Sequence, residues 1–347
     1  MPLDPLSLEL KSMELKSLEF SPLEFRQEYG TDLRSPGEGG RPGPSQRQSA
    51  SGLLSGDLSR PRANVLSQVL KLGLRVSLKR AVVFSMRFAC HPVLTARWVT
   101  FLGEFGERYR LGLPHDDLVR KSIPTFFLHG ASSAKRLGLL LDHFDVASEV
   151  LSRRSLMGLW RGGTLEMGTV SGRSENYRIQ LQLADHCGAR HEGAFAIRLR
   201  RQSDGYALCT VGFIFVRGDE GSYSLAIGGM QGPKGERAKR ALITATRDLG
   251  GLRPKDAALL VLHGLVSEGL ASFLQAVSNE RHVINRRRLK RRKMMMADLD
   301  AYWRDRGGLP SDPFGFSLPL VDGKAVRDGN RREQSKRAFR DIGAWFY

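Results

Sequence analysis

Three periods of hydrophobic spacing divide the chain. From Arg62 to about Ser155, apolar residues recur at helical intervals. Val65–Leu78, Leu94–Leu102 and Lys135–Leu151 each predict an amphipathic helix. Pro92 sits near the start of the second, where its absent N–H has no helical partner to lose. From Gly158 to about Leu225 the period falls to two. Tyr177–Leu183 alternates cleanly, and Phe195–Arg200 and Ala207–Val216 follow after turn signals at 188–193 and 203–205. This predicts an antiparallel meander, closed by a strand at Tyr223–Ile227. Helical spacing returns at Glu236–Leu249 and Lys255–Leu270, separated by Gly250-Gly251-Leu252-Arg253-Pro254. A strand at Phe273–Val277, a short helix at Ala297–Arg304 and a strand at Phe316–Leu320 complete the pattern.

Helices, then antiparallel strands, then strand–helix–helix–strand predict an α+β fold with an antiparallel-rich mixed sheet. Four regions follow. Residues 1–60 read as a disordered low-complexity tail, opening on the degenerate repeat Leu-Glu-Leu-Lys-Ser and continuing rich in Gly, Pro, Ser and Arg. Residues 61–155 form a helical N-terminal part, 156–320 the α+β domain, and 321–347 a polar C-terminal tail.

Charge narrows the partners. Lys and Arg number 54 against 36 Asp and Glu, a net charge of +18 that calls for a polyanion. The densest run is Arg286, Arg287, Arg288, Lys290, Arg291, Arg292 and Lys293. Beside a bilayer each such cation contributes about 1 kcal/mol; on nucleic acid each phosphate contact steepens the salt dependence instead. No helix-turn-helix, zinc-finger or aromatic RNA-binding signature accompanies the run. An anionic membrane surface or lipid A precursors are therefore favoured, with nucleic acid the alternative. Cys90, Cys187 and Cys209 lack CxxC spacing, which points to a reducing compartment. No secretory signal is visible, and no stretch of 18 residues is free of charge and apolar throughout. The expectation is a cytoplasmic protein, peripherally associated with the inner membrane.

The chemistry centres on the strand at 223–227, the small-residue turn Gly228–Gly235 and the helix that follows. A strand, a glycine-rich turn and a helix start form an anion cradle, because the first helical N–H groups have no partners of their own. Gln231, Gly232, Lys234 and Gly235 would hold phosphate there. The layout resembles the acyl-CoA site of N-acetyltransferase-like folds, so acyl-CoA or another acyl thioester is the cofactor expected. The plainer reading is a strand-to-helix turn whose glycines serve geometry, and Pro233 removes one donor. Glu192, on a strand beside the cradle, and His282, just past a strand end, are candidate bases. Asp300, with Asp298, would orient His282, or the two aspartates cap a helix. Asp185-His186-Cys187 offers metal-ligand types in a hairpin turn, but no second pair stands at suitable spacing, and no metal is expected.

Several blocks together resemble the VirK/YbjX family of Gram-negative bacteria: Arg136–Phe144, Gly193–Val216, Ile227–Pro233, Gly251–Lys255, Ala276–Asn279, His282-Val283 and Ala297–Trp303 with Gly307-Gly308. The chain departs from the pattern with His191 before Glu192-Gly193 and with the triplet Met294–Met296. The resemblance implies a virulence-associated envelope role: support of outer-membrane and lipid A integrity, and resistance to antimicrobial peptides. It implies no defined reaction. Three readings stand: acyl transfer at the inner face of the membrane, a non-catalytic anionic-lipid-binding or chaperone-like factor, and a nucleic-acid-associated stress protein.

Overall fold

The computed structural model describes residue 85 and residues 88–218, 222–267, 273–286, 298–320 and 330–346. The helix predicted at Val65–Leu78 and the cations Arg287–Lys293 lie outside them; Arg286 closes a short 3-10 turn.

Among the described residues the helical part holds α1 (Pro92–Arg108), the single turn α2 (Asp116–Val119), α3 (Ser133–Val150) and α4 (Arg153–Trp160). Pro92 opens α1, and Ser132 and Ser152 cap α3 and α4 by accepting backbone N–H bonds from Lys135 and Ser155. These helices are not a separate domain. Trp98, Phe101, Phe105, Phe144 and Trp160 pack ring against ring and meet Phe195 of the sheet, so one core runs through both parts.

Eight strands form one sheet: β1 (Leu165–Ser171), β2 (Asn176–Leu183), β3 (Phe195–Arg201), β4 (Ala207–Arg217), β5 (Tyr223–Gln231), β6 (Phe273–Val277), β7 (Leu309–Ser311) and β8 (Gly315–Pro319). The order is β1-β2-β3-β4-β5-β6-β8-β7. The first five strands are an antiparallel meander, as the alternation predicts. β5 and β6 are parallel, so the chain must cross over between them; α5 (Arg237–Asp248) and α6 (Pro254–Ser267) make that crossover. The parallel pairing is brief, only Ala226↔Gln275 and Ile227↔Ala276.

β3 begins at Phe195, opposite Phe213. Two residues further along β4, the Phe215 N–H has no strand to meet on that side, and it donates to His143 Nδ1 at 2.9 Å. A buried imidazole thus replaces a strand at the top of the sheet.

Two expectations differ from the structure. The strand predicted to stop at Ile227 continues to Gln231: Gly228 is a bulge, and Gly229 and Met230 pair again with β4 (Gly212↔Gly229, Val211↔Met230) instead of turning. Within the region read as a polar tail after residue 321, residues 331–344 form a helix, α8 (Arg331–Ala344). Its few apolar residues are well placed. Phe339 is buried, and Gly343 meets Gly264 of α6 so closely that a Cβ on either would strike the other helix's backbone at about 2 Å. α7 (Leu299–Arg304) agrees with the predicted short helix.

Candidate functional site

The β2–β3 connection builds the site. After β2 the chain makes a 3-10 turn at Ala184–Cys187 and reverses at Gly188 (φ +78°). It then lays Glu192 across β4 and β5. Three glycines make room for it. A Cβ on Gly228 would lie 2.0 Å from the Glu192 carbonyl oxygen, and one on Gly229 would lie 2.6 Å from its Oε2. A Cβ on Gly212 would press on the Glu192 backbone at 3.0 Å. Side-chain-free strand interiors are otherwise unfavourable, so this bare patch marks a close approach. The carboxylate lies flat on the sheet and is 16% exposed.

Two predicted residues meet it. Gln231, the last residue of β5, donates from Nε2 to Glu192 Oε2 at 2.9 Å and to the Gly188 carbonyl at 3.3 Å. His282 Nε2 stands 3.9 Å from Glu192 Oε1, and the imidazole is buried. Its Nδ1 accepts the Ile284 N–H at 3.2 Å, which assigns the proton of the neutral ring to Nε2, the nitrogen that faces the carboxylate. The gap is longer than a hydrogen bond, a common state for acid–base pairs without substrate.

A third segment was not legible in the sequence. Phe126–His129 threads between the two turns that carry Glu192 and His282. Phe127 N–H donates to the His191 carbonyl at 2.8 Å, Leu128 pairs with His282, and His129 N–H donates to the Arg281 carbonyl at 2.7 Å. Phe127 has φ +59°, a conformation that disfavours a bulky side chain by about 1–3 kcal/mol. Its ring fills the space beside Gly228, 2.7 Å from where a Cβ would stand. The signal that could have found this corner is the pair Gly228-Gly229 within an apolar strand, which calls for something lying against them.

Asp300 acts at one remove. Its Oδ1 accepts the Asn279 N–H at 2.6 Å. Asn279 in turn donates from Nδ2 to Asp298 at 2.7 Å and accepts the Leu299 N–H at 3.0 Å, while Asp298 caps α7 through the Ala301 N–H. That backbone bond, and then the Asn279 amide, hold the Asp298 carboxyl below its usual range. Asn285 Nδ2 donates to the Asn279 carbonyl. The two aspartates therefore stitch the turn that presents His282 and do not touch its ring in this arrangement.

The blocks that carry the family resemblance are the ones that converge here. Residues 75–338 match the family model described as "Protein of unknown function (DUF535)". The chain belongs to this family, the VirK/YbjX family. Over 241 residues it is 25% identical to "Uncharacterized protein YbjX" of Escherichia coli (strain K12), covering 68% of this chain and 71% of that relative. No solved structure matches.

In this VirK/YbjX member the remaining cradle residues lie on open surface. Gly232 has nothing within 4 Å of a would-be Cβ, and neither has Gly235, whose φ is +89°. Lys234 is exposed, and α5 starts without a side-chain cap. Gly232 opens on a mostly apolar cleft of about 530 Å³ that Leu208, Leu242, Ile243, Lys255 and Tyr302 help to line. The outer face of α5 exposes Arg237, Lys239, Arg240 and Arg247 around Ile243. Among the described residues no helix is long and apolar enough to cross a membrane.

The other half of the β2–β3 connection corrects one expectation. A second ligand pair for His186 does exist: folding brings His115 and Asp117 of α2 beside it. Sequence spacing could not reveal this, because the ligands come from elements about 70 residues apart.

Proposed function

We propose that Glu192 and His282 form a proton-transfer pair in an acyltransferase that uses an acyl thioester donor. It would work at the inner face of the bacterial envelope in support of outer-membrane and lipid A integrity. The observation that carries this reading is the seat of Glu192: three strand glycines are given over to placing one carboxylate against an imidazole. In the proposed reaction Glu192 takes a proton from the acceptor's nucleophilic oxygen or nitrogen as the acyl carbon–sulfur bond gives way to the new bond. Protonated Glu192 then returns that proton to the departing thiolate, while the His282 Nε2–H, which faces the same carboxylate, orients it without giving up its proton.

Strand order supports the donor assignment. An antiparallel meander, a glycine-bearing strand, a helical crossover and a parallel partner that shares two register pairs are features expected of an N-acetyltransferase-like layout. In that layout the donor phosphates sit at the loop after the strand, here Gly232–Gly235 with Lys234. Gln231, expected among the phosphate holders, has its side chain on Glu192 and would link loop and base instead. Phe127 fills the space beside Gly228, so the acyl group would enter from the cleft at Gly232. A thermal-shift titration of the protein with coenzyme A and short acyl-CoAs tests the reading. At a hundredfold excess over Kd a true ligand adds about 2.7 kcal/mol, a shift of about 5 °C for a domain of this size. A saturable shift, moved to several-fold higher ligand concentration in Lys234→Ala, is the expected result; no shift across the panel would retire the donor assignment.

A second reading, anionic-surface binding without catalysis, is favoured by the exposed cations around Ile243 on α5. Co-sedimentation with anionic vesicles that persists in Glu192→Gln, in a protein with no acyl-CoA shift, would select it. Displacement from those vesicles by duplex DNA would favour the nucleic-acid alternative.

A further inference from the structure

The β2–β3 connection carries two clusters, and the proposed reaction uses only the one at Glu192. The other joins His186 to His115 and Asp117. One potential ligand atom from each lies within 4.8 Å of the other two. His186 Nε2 is 3.1 Å from Asp117 Oδ2, and His115 Nδ1 is 3.5 Å from the same oxygen. That nitrogen caps α2 by accepting the Asp117 N–H at 3.2 Å, a bond it would exchange for the ion. Two ligands bound to zinc at about 2.1 Å and at the tetrahedral angle lie about 3.4 Å apart. These two separations therefore bracket the edge of a tetrahedral site.

The surroundings suit a cation. Arg120 occupies Oδ1 of Asp117, the arrangement that orients a carboxylate and leaves Oδ2 facing the imidazoles. Gly162, with φ +83°, lets that ring seat: a Cβ there would stand 2.5 Å from His115 Cδ2. The three side chains are 34%, 20% and 22% exposed, so a fourth position opens toward solvent.

We propose that His115, Asp117 and His186 bind one divalent cation of the zinc class, with water as the fourth ligand. The ion would tie α2 to the turn that leads into Glu192. Lys121 already links the same two elements, donating to Asp185 at 2.5 Å and to the Gly193 carbonyl at 2.8 Å. The assignment does not depend on acyl transfer.

The test uses the full chain after chelator treatment. Co²⁺ is followed by visible absorption and Zn²⁺ by calorimetry, in the wild type and in His186→Ala and Asp117→Asn. Expected are one ion per chain, intense tetrahedral cobalt bands, and an affinity loss of more than about tenfold in each variant. A cobalt spectrum like that of the aquo ion, or variants that bind as the wild type does, would overturn the site. Should a variant not fold, X-ray absorption at the zinc edge of the unaltered protein decides. Two imidazole nitrogens with oxygen support the site; sulfur ligation or imidazole-free scattering refutes it.

Discussion

Two carboxylate–histidine clusters hang from one connection, and they are built in opposite ways. Asp117 touches two imidazoles within 3.5 Å and bonds a guanidinium. The His186 hydrogen bond holds its carboxyl at about 2, which leaves it too weak a base to take protons near neutrality. Glu192 accepts the Gln231 amide on one oxygen and has the His282 imidazole 3.9 Å from the other. Its side chain lies over Gly229, where a Cβ would strike the carboxylate. In the proposed roles the first carboxylate would serve as a fixed anion for a cation, and the second, on its glycine seat, would exchange a proton. The lesson is that the company of a carboxylate, more than its burial, sets its chemistry.

The largest effect that can break this comparison is on turnover. Glu192→Gln keeps the shape and the seat but removes the base, and acyl transfer should fall about 10²–10⁴-fold with acyl-CoA affinity retained. Steady-state kinetics beside a thermal-shift titration separates the two quantities.

The seat itself comes next. Gly228→Ala drives a Cβ against the Glu192 carbonyl and the Phe127 ring, and should destabilise the fold by about 3 kcal/mol through overpacking against backbone. Gly232→Ala, in open space three residues beyond Gly229, should stay within about 0.5 kcal/mol of the wild type. Urea midpoints on the two variants make the contrast. Similar values would mean that the glycines serve strand geometry alone.

How much of this was legible follows from the same residues. Alternation in Tyr177–Leu183, and the apolar runs of β3 and β4 between turn signals, set three spans to within a residue or two. Glu192 and His282 were singled out from the sequence, but Glu192, expected on a strand, lies in the turn that precedes β3. β5 was cut short, since glycine reads as turn until the residue lying on it is known. α8 was missed because a helix with so little apolar surface relies on Gly264, distant in sequence, to receive it. The meeting of His115, Asp117 and His186 was missed for the same reason of separation: nothing local in His115 or His186 announces the other.

A smaller prediction concerns the pH background against which both clusters act. Burial, with Arg340 nearby, holds the His263 imidazole down at about 4, and burial holds His143 well below the ordinary histidine range. Both must stay neutral in the fold, while the unfolded chain takes up their protons near 6.5. Their stabilisation is complete above that pH and is lost as pH falls, until about 4 for His263. Between pH 7 and 5 the His263 contribution should drop by about 2 kcal/mol. Asp145, raised by burial to about 6, works in the opposite direction over the same range. The part of the urea-midpoint slope that disappears in His263→Gln isolates the histidine.

Smallest is the donor loop. Lys234→Ala removes one exposed cation and should weaken acyl-CoA binding by about 1 kcal/mol, a several-fold rise in Kd that shrinks as salt is added. A loss unaffected by salt would place the donor elsewhere.

The central claim is that Glu192 on its glycine seat accepts the acceptor's proton. The most direct measurement is thiol release from acetyl-CoA with hydroxylamine as a probe acceptor, for the wild type and Glu192→Gln under saturating donor. The account predicts saturable thiol release by the wild type, nearly abolished in the variant while donor binding is unchanged. Equal release by the two proteins, or none above the uncatalysed rate from the wild type, would contradict it.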